Sequence, residues 1–248
     1  MNTSIWNGAG RRIYMQEVGT RDGLQMEQAF VPTEDKIALV NALSAAGLAK
    51  IEVTSFTSPT AIPALRDAEI VMREIERRPG VVYTALVPNL RGAERAIESK
   101  TDELNLVMSA SETHNLANLR MTRAQSFASL AQVVGMAQAA QVEVNVSLSC
   151  VFGCPMEGDV AEAEVFGLVQ RFADLGVGGI TLCDTTGMAY PSQVAHTTAA
   201  ARARWPGMDF TLHFHNTRGM GLANVLAALD AWADRFDASL GGLGCCPC

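Results

Sequence analysis

Residues 179–204 read GITLCDTTGMAYPSQVAHTTAAARAR and show the structural unit from which the whole chain is built. The apolar run Gly179–Leu182 is typical of a buried strand, and the polar segment DTTG follows it. Pro191 stands at the start of a helix predicted over 191–204, where its missing N–H group costs nothing. A strand, a polar loop and a helix in this order predict one unit of a parallel sheet with a crossover helix.

The same unit recurs along the chain, and eight predicted strands alternate with seven predicted helices. Eight such strands predict an α/β fold, a (β/α)8 TIM barrel formed by one domain over residues 1–248. The alternative is a doubly wound open sheet, but no GxGxxG motif follows the first strand to support a dinucleotide site. The predicted strands are Tyr14–Val18, Lys50–Thr54, Val81–Leu86, Glu103–Met108, Val142–Leu148, Gly179–Leu182, Asp209–Phe214 and Phe236–Leu240. The predicted helices cover Thr33 to a stop at Gly47, and about 61–78, 91–99, 123–140, 160–175, 191–204 and 221–234.

The last predicted strand is followed by only a few residues before Cys248. We therefore expect a barrel that lacks the eighth helix and a C-terminal extension. The explanations left open are a shortened sequence or a partner that covers the exposed strands.

Composition indicates an ordinary globular protein of 248 residues, with 48% apolar and 18% charged residues. The net charge of −7 argues against a nucleic-acid partner, which needs a basic surface. The N-terminal MNTSIWNGAGRR has no apolar signal segment, and no stretch approaches the roughly 18 apolar residues of a membrane helix. We therefore expect a cytoplasmic protein without a membrane partner. Its six cysteines are read as reactive or buried thiols rather than as a disulfide framework.

Polar and ionisable residues concentrate at the carboxyl ends of the predicted strands, where a barrel carries its active site. His213 and His215 end the seventh strand, and residues two apart on a strand point to the same side. Two imidazoles at one barrel mouth would bind a divalent ion, and Asp22, after the first strand, offers a carboxylate. This mixed set fits Mg²⁺, Mn²⁺, Zn²⁺ or Co²⁺. The alternative is a pair of structural histidines.

Three further groups at the strand ends are suited to acid–base chemistry or to charge stabilisation. Arg21 carries a permanent charge that would stabilise an oxyanion or bind a carboxylate. Glu52 is expected to pair with Arg21, and Asp184 to orient a ligand or transfer a proton, with structural pairing equally open for both. Cys246 lies in a Gly-rich loop, where a thiol acts as an acid or base unless it is only part of an inert tail. The candidate substrate-binding residues are Arg21, Gln25, Ser55 and Thr185.

Six segments together resemble the 3-hydroxy-3-methylglutaryl-CoA lyase family, namely EVGTRDGLQ, IEVTSF, SCVFGCP, CDTTG, HFHNT and GGLGCCP. This family belongs to a larger group of metal-dependent barrels that also holds isopropylmalate and homocitrate synthases. TRDG and HxH are shared by the larger group. SC-x-x-G-C-P and the cysteine-bearing final loop point to the lyase branch.

The resemblance implies a TIM barrel with a divalent metal, Mg²⁺ or Mn²⁺, and gives each candidate residue a family role. In the family pattern the metal is bound by Asp22, His213 and His215. An enolate is stabilised by Arg21, which Glu52 supports. The pattern also places Asp184 near the substrate and metal and makes Cys246 the catalytic cysteine. The family's fourth protein ligand, an Asn after the cysteine loop, has no counterpart before Cys248, and Cys245 replaces a glycine.

The implied reaction is a retro-Claisen cleavage of 3-hydroxy-3-methylglutaryl-CoA to acetyl-CoA and acetoacetate, as in leucine degradation and ketone-body formation. The expected partners are an acyl-CoA substrate and further copies of the chain in a homo-oligomer. Three alternatives stay open from the sequence. They are a lyase for another branched hydroxyacyl-CoA such as citramalyl-CoA, a condensing synthase, and a truncated barrel with impaired catalysis.

Overall fold

Eight parallel strands close into a barrel in the order of the chain in this computed structural model, which describes residues 10–244. Each strand pairs with the next one along the chain, and the last pairs with the first over Tyr14–Glu17 and Arg235–Ala238. Closure leaves the sheet without a free edge. The TIM barrel predicted from the sequence is confirmed. The strands are β1 Tyr14–Glu17, β2 Lys50–Ser55, β3 Val82–Val87, β4 Glu103–Ser109, β5 Glu143–Ser149, β6 Gly179–Asp184, β7 Asp209–Phe214 and β8 Arg235–Ala238.

All seven predicted helical regions contain a helix, but two connections differ from the prediction. The region 61–78 forms a 3-10 turn, Pro63–Leu65, and a separate helix that begins after Asp67. An unpredicted helix follows β4, where Ser111 accepts a hydrogen bond from the His114 amide at its N-terminus. The helices are α1 Thr33–Ala45, α2 Ala68–Glu74, α3 Leu90–Glu98, α4 Glu112–Leu119, α5 Arg123–Ala139, α6 Glu162–Asp174, α7 Pro191–Arg204 and α8 Gly221–Asp230.

The chain after β8 differs from the predicted strand end at Leu240. The strand stops at Ala238, and Leu240–Gly242 forms a 3-10 turn. The amide of Leu240 donates to the buried Glu17 carboxylate at 3.0 Å, which draws the chain back towards β1. Among residues 10–244, no helix is long and apolar enough to cross a membrane.

The hydrophobic core lies between the barrel and its helices rather than inside the barrel. Alternate residues of a strand face opposite sides, so the outward residues form one set. On β2, β4, β5, β6 and β7 this set includes apolar, fully buried residues, namely Ile51, Leu104, Val146, Ile180 and Leu212. Burial of this layer by the surrounding helices supplies the main driving force for folding.

The barrel interior is polar, which was not predicted from the sequence. Gln16 of β1 donates to Thr211 of β7 at 3.1 Å, and Lys50 of β2 pairs with Glu103 of β4 at 2.6 Å. Each bond skips the strand between its partners, so it crosses the inside of the barrel. Buried polar groups need such partners, since an unpaired one costs free energy.

One buried ion pair holds α1 against the segment that precedes α2. The Lys36 ammonium lies 2.7 Å from the Asp67 carboxylate and also donates to the Ala64 carbonyl at 2.6 Å. The second Asp67 oxygen accepts from the Thr33 hydroxyl at 2.8 Å. These contacts fix the segment between the 3-10 turn and α2, and the Asp67 side chain makes no hydrogen bond to the helix that follows it.

We expect Asp67→Ala to lower the free energy of unfolding by about 3–5 kcal/mol, because Lys36 would be left buried without its counter-ion. Urea unfolding monitored by circular dichroism measures the change. Glu164→Ala, which removes a mostly exposed partner of Arg123, is the matched control and should cost no more than about 1 kcal/mol. Equal losses in the two variants would contradict the role given to the Lys36–Asp67 pair.

Candidate active site

Two imidazoles and one carboxylate converge at the carboxyl end of the barrel. His213 lies on β7 and His215 follows one residue after the strand, and their Nε2 atoms are 3.0 Å apart. Asp22 comes from the turn after β1, and one ligand atom from each of the three residues lies within 4.8 Å of the other two. The structure therefore brings together the three predicted metal ligands.

The donor set fits a divalent ion on the chemistry of its atoms. Burial, together with the neighbouring His213, lowers the pKa of His215 to about 4, so that this imidazole is neutral at pH 7 and has a free lone pair. Two ligand atoms at right angles, each about 2.1 Å from one ion, lie about 3 Å apart, which matches the separation of the two Nε2 atoms. Nitrogen and oxygen ligands together suit Mg²⁺, Mn²⁺ or Zn²⁺ and do not distinguish among them.

A tight π-helical turn, Gly19–Gly23, presents Arg21 and Asp22 to this point. The Gly19 amide donates to the Glu17 carboxylate at 2.6 Å, and the Asp22 amide donates to the Val18 carbonyl at 2.7 Å. A Cβ atom at position 19 would lie 2.7 Å from that carboxylate oxygen, so any larger residue would force the buried Glu17 side chain to move. The TRDG segment thus folds back on β1 and aims two successive charged side chains at the barrel mouth.

Arg21 lies between two carboxylates. Its Nη1 atom is 2.6 Å from Asp22 and its Nε atom 2.6 Å from Glu52, whose side chain is 3% exposed. The other Glu52 oxygen accepts from the Asn105 amide at 2.7 Å. Burial raises the pKa of Glu52, an effect that Arg21 and Asn105 only partly offset. Burial alone would also raise the pKa of Asp22, but the charges of Arg21 and the two histidines together outweigh it, and the pKa of Asp22 is lowered. The expected Arg21–Glu52 pair is present.

Asp237 completes the group and was not singled out from the sequence. It lies on β8 beside β7, and its Oδ2 atom is 2.9 Å from His213 Nδ1. Burial alone would lower the pKa of His213, but the hydrogen bond to Asp237 and its charge outweigh burial and raise that pKa. The sequence signal was available in the segment RFDAS, where polar residues alternate with apolar ones across the predicted eighth strand.

Asp184 occupies a different position from the groups around Arg21. At the end of β6 its Oδ1 atom accepts from the amides of Met188 and Ala189, at 2.7 and 3.0 Å, and so shapes the loop that follows. Its Oδ2 atom is buried and has no hydrogen-bond partner among residues 10–244. Burial raises the pKa of Asp184, which the two amides and the charge of His213 partly offset. Asp184 is therefore close enough to His213 for their charges to interact, and its raised pKa makes it suited to take up a proton.

None of the candidate substrate-binding residues Gln25, Ser55 and Thr185 lines the cavity that contains the three metal ligands. Gln25 lines a separate cavity between the loops after β1 and β2. The Ser55 hydroxyl is bonded to Thr57 at 2.8 Å, and the Thr185 hydroxyl accepts from the Cys150 amide at 2.8 Å. Cys246, the candidate acid, lies outside the described residues.

A cavity of about 340 Å³ opens over the metal ligands. Its walls come from the ends of β1, β7 and β8, and from the loop after β8. In that loop Gly244, at a φ of +85°, lies directly against Gly23, and a Cβ atom at either glycine would clash with the other segment. The residues that line this cavity include Asp22, His213, His215, Asp237, Ser239 and Gly244.

Comparison with known proteins agrees with this geometry. The HMGL-like family model matches residues 12–246. A hydroxymethylglutaryl-CoA lyase of Bacillus subtilis is 47% identical over 237 residues, which are 96% of this chain and 79% of the relative. A Pseudomonas aeruginosa protein named 3-hydroxy-3-isohexenylglutaryl-CoA/hydroxymethylglutaryl-CoA lyase is 38% identical, over 96% of this chain and 79% of its own length.

Among solved structures, an HMG-CoA lyase from Acinetobacter baumannii in complex with coenzyme A and 3-methylmalate superposes with a TM-score of 0.91. It is 52% identical, and the match covers 95% of this chain and 77% of that one. The fold, the motifs and the extent of these matches agree with the resemblance found in the sequence. The chain belongs to the HMGL-like family, that of the hydroxymethylglutaryl-CoA lyases.

Proposed function

We propose that this chain cleaves 3-hydroxy-3-methylglutaryl-CoA to acetyl-CoA and acetoacetate by a retro-Claisen reaction. The observation that carries the proposal is the convergence of Asp22, His213 and His215 at one cavity, with the buried guanidinium of Arg21 paired directly to Asp22. A divalent ion bound by the three ligands, Mg²⁺ or Mn²⁺ in this proposal, would polarise the substrate oxygens. The other groups of the site then handle the proton and the charge that the cleavage releases.

Arg21 stabilises the negative charge that develops when the carbon–carbon bond breaks. The electron pair of that bond moves onto the carbon beside the thioester and is delocalised onto its oxygen as an enolate. A guanidinium fixed before the reaction stabilises this charge without having to reorganise. Glu52 holds Arg21 in place through its Nε atom, and Asn105 fixes Glu52 in turn.

Proton transfer is assigned to Asp184 and Cys246. The substrate hydroxyl loses a proton as its carbon becomes a carbonyl, and Asp184, with a raised pKa and an unpaired Oδ2 atom, is suited to accept it. The enolate carbon then takes up a proton, which we assign to the Cys246 thiol by family pattern. In the net reaction one proton leaves the substrate hydroxyl and one proton is added to the new methyl group of acetyl-CoA.

The acyl-CoA substrate class is supported by the Acinetobacter baumannii lyase, whose structure contains coenzyme A. A second substrate is favoured by the Pseudomonas aeruginosa relative, whose name includes both a methyl and an isohexenyl branch. A longer 3-substituent therefore belongs in any substrate panel. The roles of Gln25, Ser55 and Thr185 in binding, the single domain over residues 1–248, the homo-oligomer and the cytoplasmic location stay predictions.

We expect metal-dependent acetyl-CoA release from 3-hydroxy-3-methylglutaryl-CoA by the purified chain in a coupled assay. EDTA should abolish the release and excess Mn²⁺ or Mg²⁺ should restore it. His213→Ala combined with His215→Ala should reduce kcat/KM by more than about 1000-fold, because a bound metal lowers the activation barrier by several kcal/mol. His196→Ala, which removes an exposed histidine of α7, is the control and should keep parental activity. Cleavage that survives the double substitution would contradict the proposal.

Arg21→Gln should lower kcat by about 100- to 1000-fold, since it removes the group that stabilises the enolate charge. Steady-state kinetics at saturating Mn²⁺ measure the change, and the Mn²⁺ Kd of the variant is measured first so that saturation is ensured, because Arg21 also contacts the ligand Asp22. Arg77→Gln, at a partly exposed ion pair with Asp102, serves as the control and should leave kcat unaffected. An Arg21→Gln enzyme with parental kcat would remove Arg21 from the mechanism.

A further inference from the structure

We propose that Asp237 is a positioning residue for the metal site, which fixes His213 in the orientation and tautomer that present Nε2 to the ion. The proposal rests on the metal site of the proposed function and adds to it a residue of a third strand. It assigns to Asp237 no contact with substrate or metal.

The contact itself is close and shielded from water. Asp237 Oδ2 lies 2.9 Å from His213 Nδ1, and the two side chains are only 12% and 15% exposed. At low exposure, water competes weakly for either partner, so a hydrogen bond to a charged acceptor keeps most of its strength. The imidazole of His213 is therefore held at its Nδ1 side by β8 while its backbone belongs to β7.

The chemistry of the pair determines the tautomer. An ionised carboxylate only accepts hydrogen bonds, so the proton between Asp237 and His213 must sit on Nδ1. In the neutral ring the lone pair is then on Nε2, the atom that lies 3.0 Å from His215 Nε2. A carboxylate behind a ligating imidazole also makes the ring a stronger base, and loss of such a partner typically weakens metal binding by about 10- to 100-fold.

The placement of Asp237 in the barrel is consistent with positioning rather than with ligation. Asp237 is absent from the group of three side chains whose ligand atoms converge, although it lines the same cavity. It also lines the small polar cavity inside the barrel, together with Gln16 and Glu52. Asp237 thus lines both the interior of the barrel and the cavity that contains His213, the residue that it contacts.

An ion pair that only stabilises the barrel is the alternative to be tested, and the chain offers a matched control for it. Asp209 lies at the start of β7 and pairs with Arg235 at the start of β8, at 2.9 Å. Asp209→Asn therefore removes one carboxylate charge from the same two strands at the opposite end of the barrel. Comparing it with Asp237→Asn separates loss of charge from loss of the contact with His213.

The first experiment measures the Kd of Mn²⁺ by isothermal titration calorimetry on the metal-free protein and its variants. Asp237→Ala should weaken binding about 10- to 100-fold. Asp237→Asn should weaken it less, because its carbonyl oxygen still accepts from Nδ1–H, and Asp209→Asn should match the parent. Asp237→Ala with parental Mn²⁺ affinity would overturn the proposal.

The second experiment reports on the ring without metal. Nitrogen-15 NMR of histidine-labelled protein should show a proton bound to Nδ1 of His213 in the parent and in Asp209→Asn. The Nδ1 signal should move towards that of an unprotonated nitrogen in Asp237→Ala at pH 8, with the exposed His196 of α7 as the internal reference. An unchanged His213 signal in a folded Asp237→Ala variant would also overturn the proposal.

These measurements distinguish failure of this inference from failure of the proposed function. A parent that binds no Mn²⁺ contradicts the metal site, and the inference fails with it. A parent that binds Mn²⁺ and cleaves the substrate, beside an Asp237→Ala variant that binds Mn²⁺ equally well, contradicts the inference alone.

Discussion

The buried guanidinium of Arg21 is the constraint on which the rest of the site depends. A buried charge is tolerated only when it is paired and hydrogen-bonded, and Arg21 meets this condition between Asp22 and Glu52. Glu52 is itself held by Asn105, and Asn105 accepts from Asn145 at 2.9 Å. One chain of polar contacts thus leads from the turn after β1 across the inside of the barrel to β5. Since each member satisfies the next, none can rotate without leaving a buried polar group unpaired.

This interior explains how a barrel of this size supports several charges at one end. The apolar layer between strands and helices stabilises the fold, so the inside of the barrel is free to be polar. Lys50 with Glu103 and His213 with Asp237 are each paired within the barrel, and Lys50, Glu52, Glu103 and Asp237 line one interior cavity. The active site is the upper end of a polar interior that runs along the barrel axis.

The fold could be predicted because eight strand segments rich in apolar residues are separated by polar loops and helical segments. The polar interior was missed although KIEVTS, ELNLVMS and EVNVSLS carry a polar residue at alternate positions near their beginnings. That alternation was overlooked because a barrel interior is usually filled by branched apolar side chains. Helix α4 was missed because a helix of eight residues lies inside what sequence alone presents as a loop.

The residues of the candidate site likewise include some that could be predicted from the sequence and some that could not. His213, His215, Asp22 and Arg21 were predictable because their spacing or adjacency follows from strand and turn geometry. Asp237 required knowing which strand lies beside β7 and at what register. Gln25 was named because it lies near Arg21 in sequence, but the π-helical turn ends before it and directs it to another cavity.

Closure of the barrel by β1 and β8 has a consequence for how the protein is made. Asp22 belongs to the first strand unit, while both histidines and Asp237 come from the last two strands. A chain under synthesis therefore contains all of these residues only after β8 has been made. Pairing of such distant segments is slow because of the loop-closure entropy. The candidate metal ligands converge only when β1 and β8 have closed the barrel, so an ion that needs all three ligands could bind only after closure.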